Sequence, residues 1–484
     1  MTDQLSLARL LAHHRSNKPD ALALSDHNES VTWEELDRRT NRAARALIAR
    51  GVQLDDMVTI ALPNGLDFIE SCFACWKAGA TPQPVSSRLP RPEIEEIIAL
   101  AGSKIVIAND DIEIEPETVS YVELRDSQDD DSALPELVTS CWKAPTSGGS
   151  TGRPKLILAT APAWCEFETA AGWRITADDV AIMPGPLYHN APFVTAIAAV
   201  TAGAHMVIMP RFDAEAVLAN VARHKASWIY LVPTMMGRIW RLEDEIKAQY
   251  DVSSLKTVWH LAAPCPAWLK EAWINWLGGD VIWELYAATE GMAGTVITGT
   301  EWLAHRGSVG RVFAGEIKIL DDDGKEAPPG TIGEVYMRPD PERGETYRYV
   351  GAEVESRDGW QTLGDMGHFD EDGFLYLADR RSDMILVGGS NVYPAEIEGV
   401  LEEHSEVKSC AVIGLPNDDL GATIHAIIEP GKALAEQDLK EFVATRLVAY
   451  KRPRSYEFVD HALRDTAGKV RRSKLREERL KKES

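Results

Sequence analysis

Ten consecutive residues, Thr146-Ser147-Gly148-Gly149-Ser150-Thr151-Gly152-Arg153-Pro154-Lys155, concentrate three glycines, four hydroxyl side chains and a terminal lysine. Glycine permits positive φ and a close approach of backbone to a ligand, so successive N–H groups can turn inward as an anion nest. The hydroxyls add donors, and Lys155 adds a mobile point charge suited to phosphate. A flexible Gly/Ser linker has a similar composition. Against that stand Arg153-Pro154-Lys155 and the apolar Leu156-Ile157-Leu158 behind it, which reads as a strand. The stretch is not a Walker A loop, which closes on Gly-Lys-Ser/Thr; here Arg153 follows Gly152 and Leu156 follows Lys155.

Further chemistry-bearing stretches follow in order: Pro186-Leu187-Tyr188-His189-Asn190-Ala191, Ala262-Ala263-Pro264, Tyr286-Ala287-Ala288-Thr289-Glu290, Thr362-Leu363-Gly364-Asp365 with Arg380 after it, Gly388-Gly389-Ser390-Asn391-Val392-Tyr393-Pro394-Ala395-Glu396-Ile397-Glu398, and Thr466-Ala467-Gly468-Lys469. Each has an ordinary reading by itself: a loop histidine, a strand-to-helix junction, a turn aspartate, a lysine in a basic tail. In this order after the glycine-rich loop, they resemble the motifs of the adenylate-forming superfamily: acyl-CoA synthetases, adenylation domains of peptide synthetases, and luciferases. The resemblance runs from about Thr32 to Arg472.

The resemblance implies a mechanism and assigns residues to it. Thr146, Ser147, Gly148, Gly149, Ser150, Thr151, Gly152 and Lys155 would cradle the phosphates of ATP. Ala262, Ala263 and Pro264 would lie beside adenine, with Tyr286 offering an aromatic face and Ala287 and Ala288 completing the wall. Thr289 would meet the α-phosphate, and Glu290 would hold Mg²⁺, a hard cation that prefers oxygen. Asp365 can accept from both ribose hydroxyls, as an ionised carboxylate takes two donors, with Arg380 also on the nucleotide. His189 would line the acyl pocket, Gly388 and Gly389 the pantetheine channel of coenzyme A, and Lys469 would reach both the carboxylate and the α-phosphate. The chain departs from the family pattern at Leu261, often glycine; at Ala287; at Ser382, where the hinge is usually aspartate or lysine; and at Leu463-Arg464-Asp465-Thr466, usually Leu-Pro-Arg-Thr. Glu301 to Gly310 is also similar to the bile-acid and steroid-acid CoA ligase group.

The elements that must position these residues alternate. Thr32-Trp33-Glu34-Glu35-Leu36 opens a helix with a hydroxyl cap, within a region from Leu5 to Gly51 expected to hold helices around one short strand. Strands are expected at Asp56–Leu62, Ile105–Ala108, Val180–Met183, Met206–Met209, Trp228–Val232 and Val258–Ala262, and helices at Asp67–Ala78, Asp213–His224 and Trp268–Leu277. This predicts an α/β body with mostly parallel sheets flanked by helices. After about residue 310, short strands between turns such as Asp322-Asp323-Gly324 predict a small antiparallel subdomain. The expected division is residues 1–381 as the N-terminal domain, with 311–381 the antiparallel part, and 382–484 as a small mobile α+β domain.

At 484 residues the chain is too long for one ordinary core. Its formal net charge of −24, from 51 basic and 75 acidic residues, disfavours nucleic acid and anionic membrane as partners. Six cysteines show no disulfide framework and suit a reducing, cytoplasmic compartment; Cys72 and Cys75 lie in an apolar helical run and read as buried thiols. No apolar run reaches membrane-spanning length. The function implied is ATP-dependent activation of a bulky hydrophobic carboxylic acid (steroidal, aryl or medium-to-long-chain) and its transfer to coenzyme A. Two alternatives stay open: a stand-alone adenylation enzyme loading a carrier-protein thiol, and a nucleotide-binding protein with a decayed site. Many members of the superfamily are dimers, so a homodimer is implied by the same resemblance.

Overall fold

The computed structural model describes residues 5–109, 114–148, 154–165, 167–354, 356–387, 390–417, 420–432, 434–465 and 468–483. Short β-branched and apolar runs build the central sheet. Leu22–Ser25, His205–Ile208, Val180–Met183, Trp228–Leu231, Thr257–His260 and Ile282–Ala287 lie side by side in that order, every neighbouring pair parallel. Trp228–Leu231 and Thr257–His260 are buried at every residue, as strands covered by helices on both faces must be. A second sheet, in the order Thr81–Pro84, Met57–Ala61, Ile105–Ala108 and Thr118–Val119, is parallel throughout. The helix at Trp33–Ala49 starts on a full capping box: the Thr32 hydroxyl accepts from the Glu35 N–H, and the Glu35 carboxylate accepts from the Thr32 N–H.

Two expectations about elements need correction. The region from Leu5 to Gly51 holds two strands, because Ser30–Thr32 folds back antiparallel on Leu22–Ser25. The hairpin turn is held by Asp26, whose Oδ1 accepts from the Asn28 and Glu29 N–H groups, a turn signal that periodicity alone passes over. The strand expected at Val258–Ala262 ends at His260, since Ala262 takes φ 76° and leaves the extended region.

Beyond Ile282–Ala287 the sheet turns antiparallel through Gly294–Thr298, Ser308–Ala314, Leu375–Arg380, Trp360–Phe369, Gly333–Arg338 and Glu316–Leu320. The antiparallel strands are therefore hydrogen-bonded in continuity with the parallel ones. Gly310 makes that junction: its φ is 102°, and a Cβ there would sit 2.0 Å from the Val296 carbonyl oxygen.

The C-terminal residues carry their own buried cluster, with Ile397, Leu401, Val412, Ile428 and Leu439 at its centre. Val407–Asn417 and Gly421–Pro430 pair antiparallel, and Ser455–Phe458 joins the latter in parallel. The helix Pro394–Glu402 starts on a proline at its first turn. The basic tail forms the helix Arg472–Glu483, fastened by Arg479 to Glu457 and by Arg476 to the Gly414 carbonyl.

Candidate active site

In an open parallel sheet, ligands bind at the carboxyl ends of the strands, and the chain puts its polar loops there. Gly185 to His189 follow Val180–Met183, Ala262 to Pro264 follow Thr257–His260, and Ala288 to Glu290 follow Ile282–Ala287. One cleft is lined by Thr146, Lys155, His189, Ala262, Ala263, Pro264, Tyr286, Ala287, Ala288, Thr289, Glu290, Asp365, Arg380 and Lys469. Residues more than 300 positions apart in sequence thus share one space. Thr146, Ser147 and Gly148 form a strand against Pro154–Ala159, with Ser147 opposite Lys155. Gly149, Ser150, Thr151 and Gly152, together with Gly388, Gly389, Thr466 and Ala467, lie outside the described residues.

One corner is built on Glu290. Its side chain is buried, its Oε1 accepts from the Tyr349 hydroxyl at 2.5 Å, and Lys155 Nζ stands 4.0 Å from the same oxygen. Lys155 Nζ also lies 3.7 Å from the centroid of the Tyr349 ring. Tyr349 arrives because Tyr347–Val350 pairs antiparallel with Pro154–Ala159, placing it opposite Ile157. The Thr346 hydroxyl donates to the Glu290 carbonyl at 2.7 Å and fixes the backbone. The Thr146 hydroxyl accepts from Gln83 at 2.9 Å, tying the Thr146–Gly148 strand to the second sheet.

A second corner joins Tyr286, Asp365 and Arg380. Asp365 and Arg380 are cross-strand partners, their side chains 3.3 Å apart, and the Tyr286 hydroxyl donates to Asp365 Oδ2 at 2.7 Å. Burial and the neighbouring Asp365 charge hold the Tyr286 phenol well above its usual range, so it stays a donor. A carboxylate gripped from two sides and facing the cleft is oriented before any diol reaches it.

Lys469 comes from the C-terminal residues into the same cleft. Burial holds its ammonium below the ordinary lysine range, assisted by Arg380 and opposed by Asp465, Glu290 and Asp365. Its N–H donates to Asp465 Oδ1 at 2.9 Å. Arg464, which replaces the usual proline, anchors this loop: its guanidinium donates to the Gly468 carbonyl and to Glu398 and Glu402. Glu398, a terminal residue of the Gly388–Glu398 motif, also takes Arg472, which pairs in turn with Asp383 at 2.7 Å. Across the cleft, His189 precedes the helix Asn190–Ala202. Burial pushes its imidazole down to about 4, so the ring is neutral, and its Nε2 is buried without a hydrogen-bond partner.

Sequence reasoning missed Tyr349, Gln83 and Lys143, which also lines the cleft. No local pattern marks Tyr349 or Gln83; strand register and long-range packing bring them in. Lys143 had a signal, a charged residue inside the apolar approach Cys141-Trp142-Lys143-Ala144-Pro145. Phe193 and Trp228 are core residues with 1% and 0% exposure; the cleft is walled there by Trp142, Trp173, Tyr188, Pro192, Tyr230 and Met235. Cys72 and Cys75 are buried free thiols, pushed up by burial away from reactivity.

Residues 11–341 match the AMP-binding enzyme family and residues 396–469 match the AMP-binding enzyme C-terminal domain. The chain belongs to the AMP-binding enzyme family. It is 30% identical to a feruloyl-CoA synthase of Amycolatopsis, over 95% of this chain and 96% of that one. It is 29% identical to the fatty acid–[acyl-carrier-protein] ligase ScoC of Streptomyces coeruleorubidus, over 98% and 96% of the two chains. Among solved structures, the anthranilate CoA ligase AuaEII in complex with anthranoyl-AMP superposes with a TM-score of 0.85 at 25% identity, covering 99% of this chain and 98% of that one. The fold therefore follows this family over nearly the whole chain.

Proposed function

We propose that the protein is an AMP-forming carboxylic acid–CoA ligase acting on a bulky hydrophobic acid. The observation that carries this is the meeting of Lys469 with Glu290, Asp365 and Arg380 in one cleft. A carboxylate is a poor acyl donor because its leaving group would be oxide. In the first half-reaction a carboxylate oxygen attacks the α-phosphorus of ATP, the bond to the bridging oxygen breaks, and pyrophosphate leaves. In the second, the sulfur of coenzyme A attacks the acyl carbon and AMP leaves with the electron pair of the broken C–O bond.

The residues act by position and charge. Asp365, oriented by Tyr286 and Arg380, takes the ribose diol, and Ala262 to Pro264 leave room for the flat base. Thr146 to Lys155 hold the phosphates, and Thr289 meets the α-phosphate. Lys469 stabilises charge building on the α-phosphate and the attacking oxygen, while neutral His189 borders the acyl group. Glu290, a buried carboxylate beside the Tyr349 hydroxyl, offers the hard oxygen donors that suit a hard cation. Mg²⁺ bound there would neutralise triphosphate charge and polarise the phosphoryl group. Gly388 and Gly389 are assigned to the pantetheine channel by their motif. Residues 1–381 form the body of this reading, 311–381 its antiparallel part, and 382–484 the mobile unit, with Ser382 at the hinge.

The wall of Trp142, Trp173, Tyr188, Tyr230 and Met235 favours steroidal, aryl or medium-to-long acyl acids. Among the described residues, these five side chains supply no carboxylate for an α-amine of the kind an amino-acid-activating site uses. Six free cysteines, five of them buried, support the cytoplasm as its compartment, and no described helix is long and apolar enough to cross a membrane. A homodimer belongs to the same proposal and is read out by light scattering.

The test is a panel of acids scored for pyrophosphate release, with and without coenzyme A. Acyl-CoA and AMP should appear in equal amounts. Each methylene removed from the acid costs about 1 kcal/mol in an apolar site, so acetate should lose by several orders of magnitude. The kinship with a carrier-protein ligase supports a second reading; adenylate that accumulates without thioester until a carrier protein is added would favour it. Robust turnover of acetate or an amino acid would refute the substrate class.

A further inference from the structure

Lys143 has no part in the mechanism above, yet its side chain is only 7% exposed and it borders the cleft. Its ammonium donates to the Asn190 side-chain oxygen and lies 4.8 Å from the Trp142 ring centroid. Among the described residues it forms no ion pair with a carboxylate. That is unusual chemistry. Lys77, equally buried in the same protein, is given Asp37 and two further side-chain acceptors. Lys143 has three donors and one neutral acceptor.

Its surroundings are short of negative charge in a second way. Asn190 opens the thirteen-residue helix Asn190–Ala202, which has no acidic residue in its first turn and no side-chain cap. A helix N-terminus carries partial positive charge, so a lysine placed there meets repulsion, which an incoming anion relieves. His189 Nε2, adjacent in sequence, is buried without a partner. Burial alone pushes the Lys143 ammonium down to about 7, with Glu290 the one carboxylate whose charge reaches it.

We propose that Lys143, held by Asn190 beside the start of this helix, binds the carboxylate of the acid substrate and aims it at the α-phosphate. This rests on the acid-activating reading and deepens it. The triphosphate is the other source of oxyanions in the cleft, and position argues against it. Lys143 lies on the segment paired with Pro154–Ala159, its carbonyl accepting from the Ala159 N–H, whereas Lys155 lies at the other end of that strand, opposite Ser147. Along the strand, four residues of extended chain put about 13 Å between the two backbone positions. Lys155 therefore stands on the phosphate loop, and Lys143 stands on the acyl side with His189 and Asn190.

Two variants test it. Lys143→Gln keeps a donor for Asn190 and removes the charge. Asn190→Asp hands Lys143 an internal carboxylate that competes with the substrate's. Charge-assisted hydrogen bonds of this kind make a difference of about tenfold to a hundredfold in affinity. Pyrophosphate release should show the KM for the acid rising by that factor in Lys143→Gln, with the KM for ATP within about twofold of the parent. Asn190→Asp should raise the acid KM likewise without lowering the melting temperature, and it decides the matter where Lys143→Gln does not fold. An unchanged acid KM, or a rise confined to ATP, overturns the assignment. A parent enzyme that releases no pyrophosphate with any acid overturns the function and this inference together, whereas an active parent with an unaffected variant overturns this inference alone.

Discussion

At Lys469 the neighbouring backbone is as specific as the ammonium. Gly468 takes φ 78°, and a Cβ on it would stand 2.8 Å from the Thr234 hydroxyl oxygen, at the start of the Pro233–Trp240 helix. Both the conformation and the contact demand glycine. Gly468→Ala should therefore displace Lys469 and slow pyrophosphate release by about a hundredfold. Lys469→Ala should slow it by ~10²–10³, the loss typical of one preorganised charge contact. Both variants should still convert a supplied acyl-adenylate to acyl-CoA, because the charge that Lys469 meets exists only in the first half-reaction. Equal slowing of the two half-reactions, with the fold intact, would contradict this assignment. Residues of this kind were legible, since Gly468-Lys469, Tyr286-to-Glu290 and Asp365 sit in short contiguous motifs. Tyr349 and the anchoring role of Arg464 were not read because their carboxylate partners lie far off in sequence: Tyr349 reaches Glu290 through strand register, and Arg464 reaches Glu398 and Glu402 on the Pro394–Glu402 helix.

The helix Leu66–Lys77 shows how an element can be legible while its burden is not. Its apolar pattern predicts the helix, and the structure places it within a residue at either end. Yet it carries a fully buried acid, Glu70, whose Oε1 is 3.5 Å from Arg39 and whose Oε2 is buried without a hydrogen-bond partner. Periodicity marks faces, not the satisfaction of individual charges. Arg39 does not repay the burial, because it is already held by both oxygens of Glu29. Burial raises the Glu70 carboxyl from 4.5 to about 7, with Tyr121 and Arg39 opposing the shift. A carboxyl raised on folding contributes its full stability below the unfolded value, and that stability declines as pH climbs through the folded one. The window is therefore pH 4.5 to 7, with a loss on the order of 3 kcal/mol above it. Glu70→Gln cannot ionise, so its melting temperature should match the parent's near pH 4.5 and exceed it at pH 8, the gap opening through that window. A variant that melts below the parent at pH 8 would show that the Arg39 contact outweighs the burial of charge. The same limit explains the antiparallel strands after residue 310: their existence was readable from turn chemistry, but their continuity with the parallel sheet runs through Ser308–Ala314, which pairs with Gly294–Thr298 on one edge and, across a bulge between Ser308 and Gly310, with Leu375–Arg380 on the other.

At the scale of the whole molecule, one side chain far from the proposed hinge ties the C-terminal residues to those before them, with Lys469 facing the cleft. Arg241, just past the Pro233–Trp240 helix, donates to the carbonyls of Glu402, Val407 and Lys408 at 3.4, 3.0 and 3.4 Å, and its guanidinium lies 5.5 Å from the Trp268 ring. These acceptors are backbone atoms at the end of the Pro394–Glu402 helix and the start of Val407–Asn417, where helix C-terminal carbonyls favour a cation. Other ties lie at the proposed hinge at Ser382: Arg472 pairs with Asp379 and Asp383 on either side of it, and the Ala395 N–H donates to Asp379. Because Arg472 bonds within the hinge region, a rotation about Ser382 can carry it along. The Arg241 contacts lie far from that axis in sequence and belong to one orientation only. A charged donor shared among three partly exposed carbonyls is worth about 1–2 kcal/mol, roughly a tenfold shift between two orientations. Arg241→Ala should thus lower the rate of pyrophosphate release about tenfold through a smaller population of the adenylation-competent arrangement. Conversion of supplied acyl-adenylate to acyl-CoA should be unchanged or faster, since the competing orientation gains what this one loses. Small-angle scattering with a bound acyl-adenylate analogue should show the same shift as a changed distance distribution. If both half-reactions slowed alike, Arg241 would be a structural residue of its helix, and the clasp between the two units would have to be sought elsewhere.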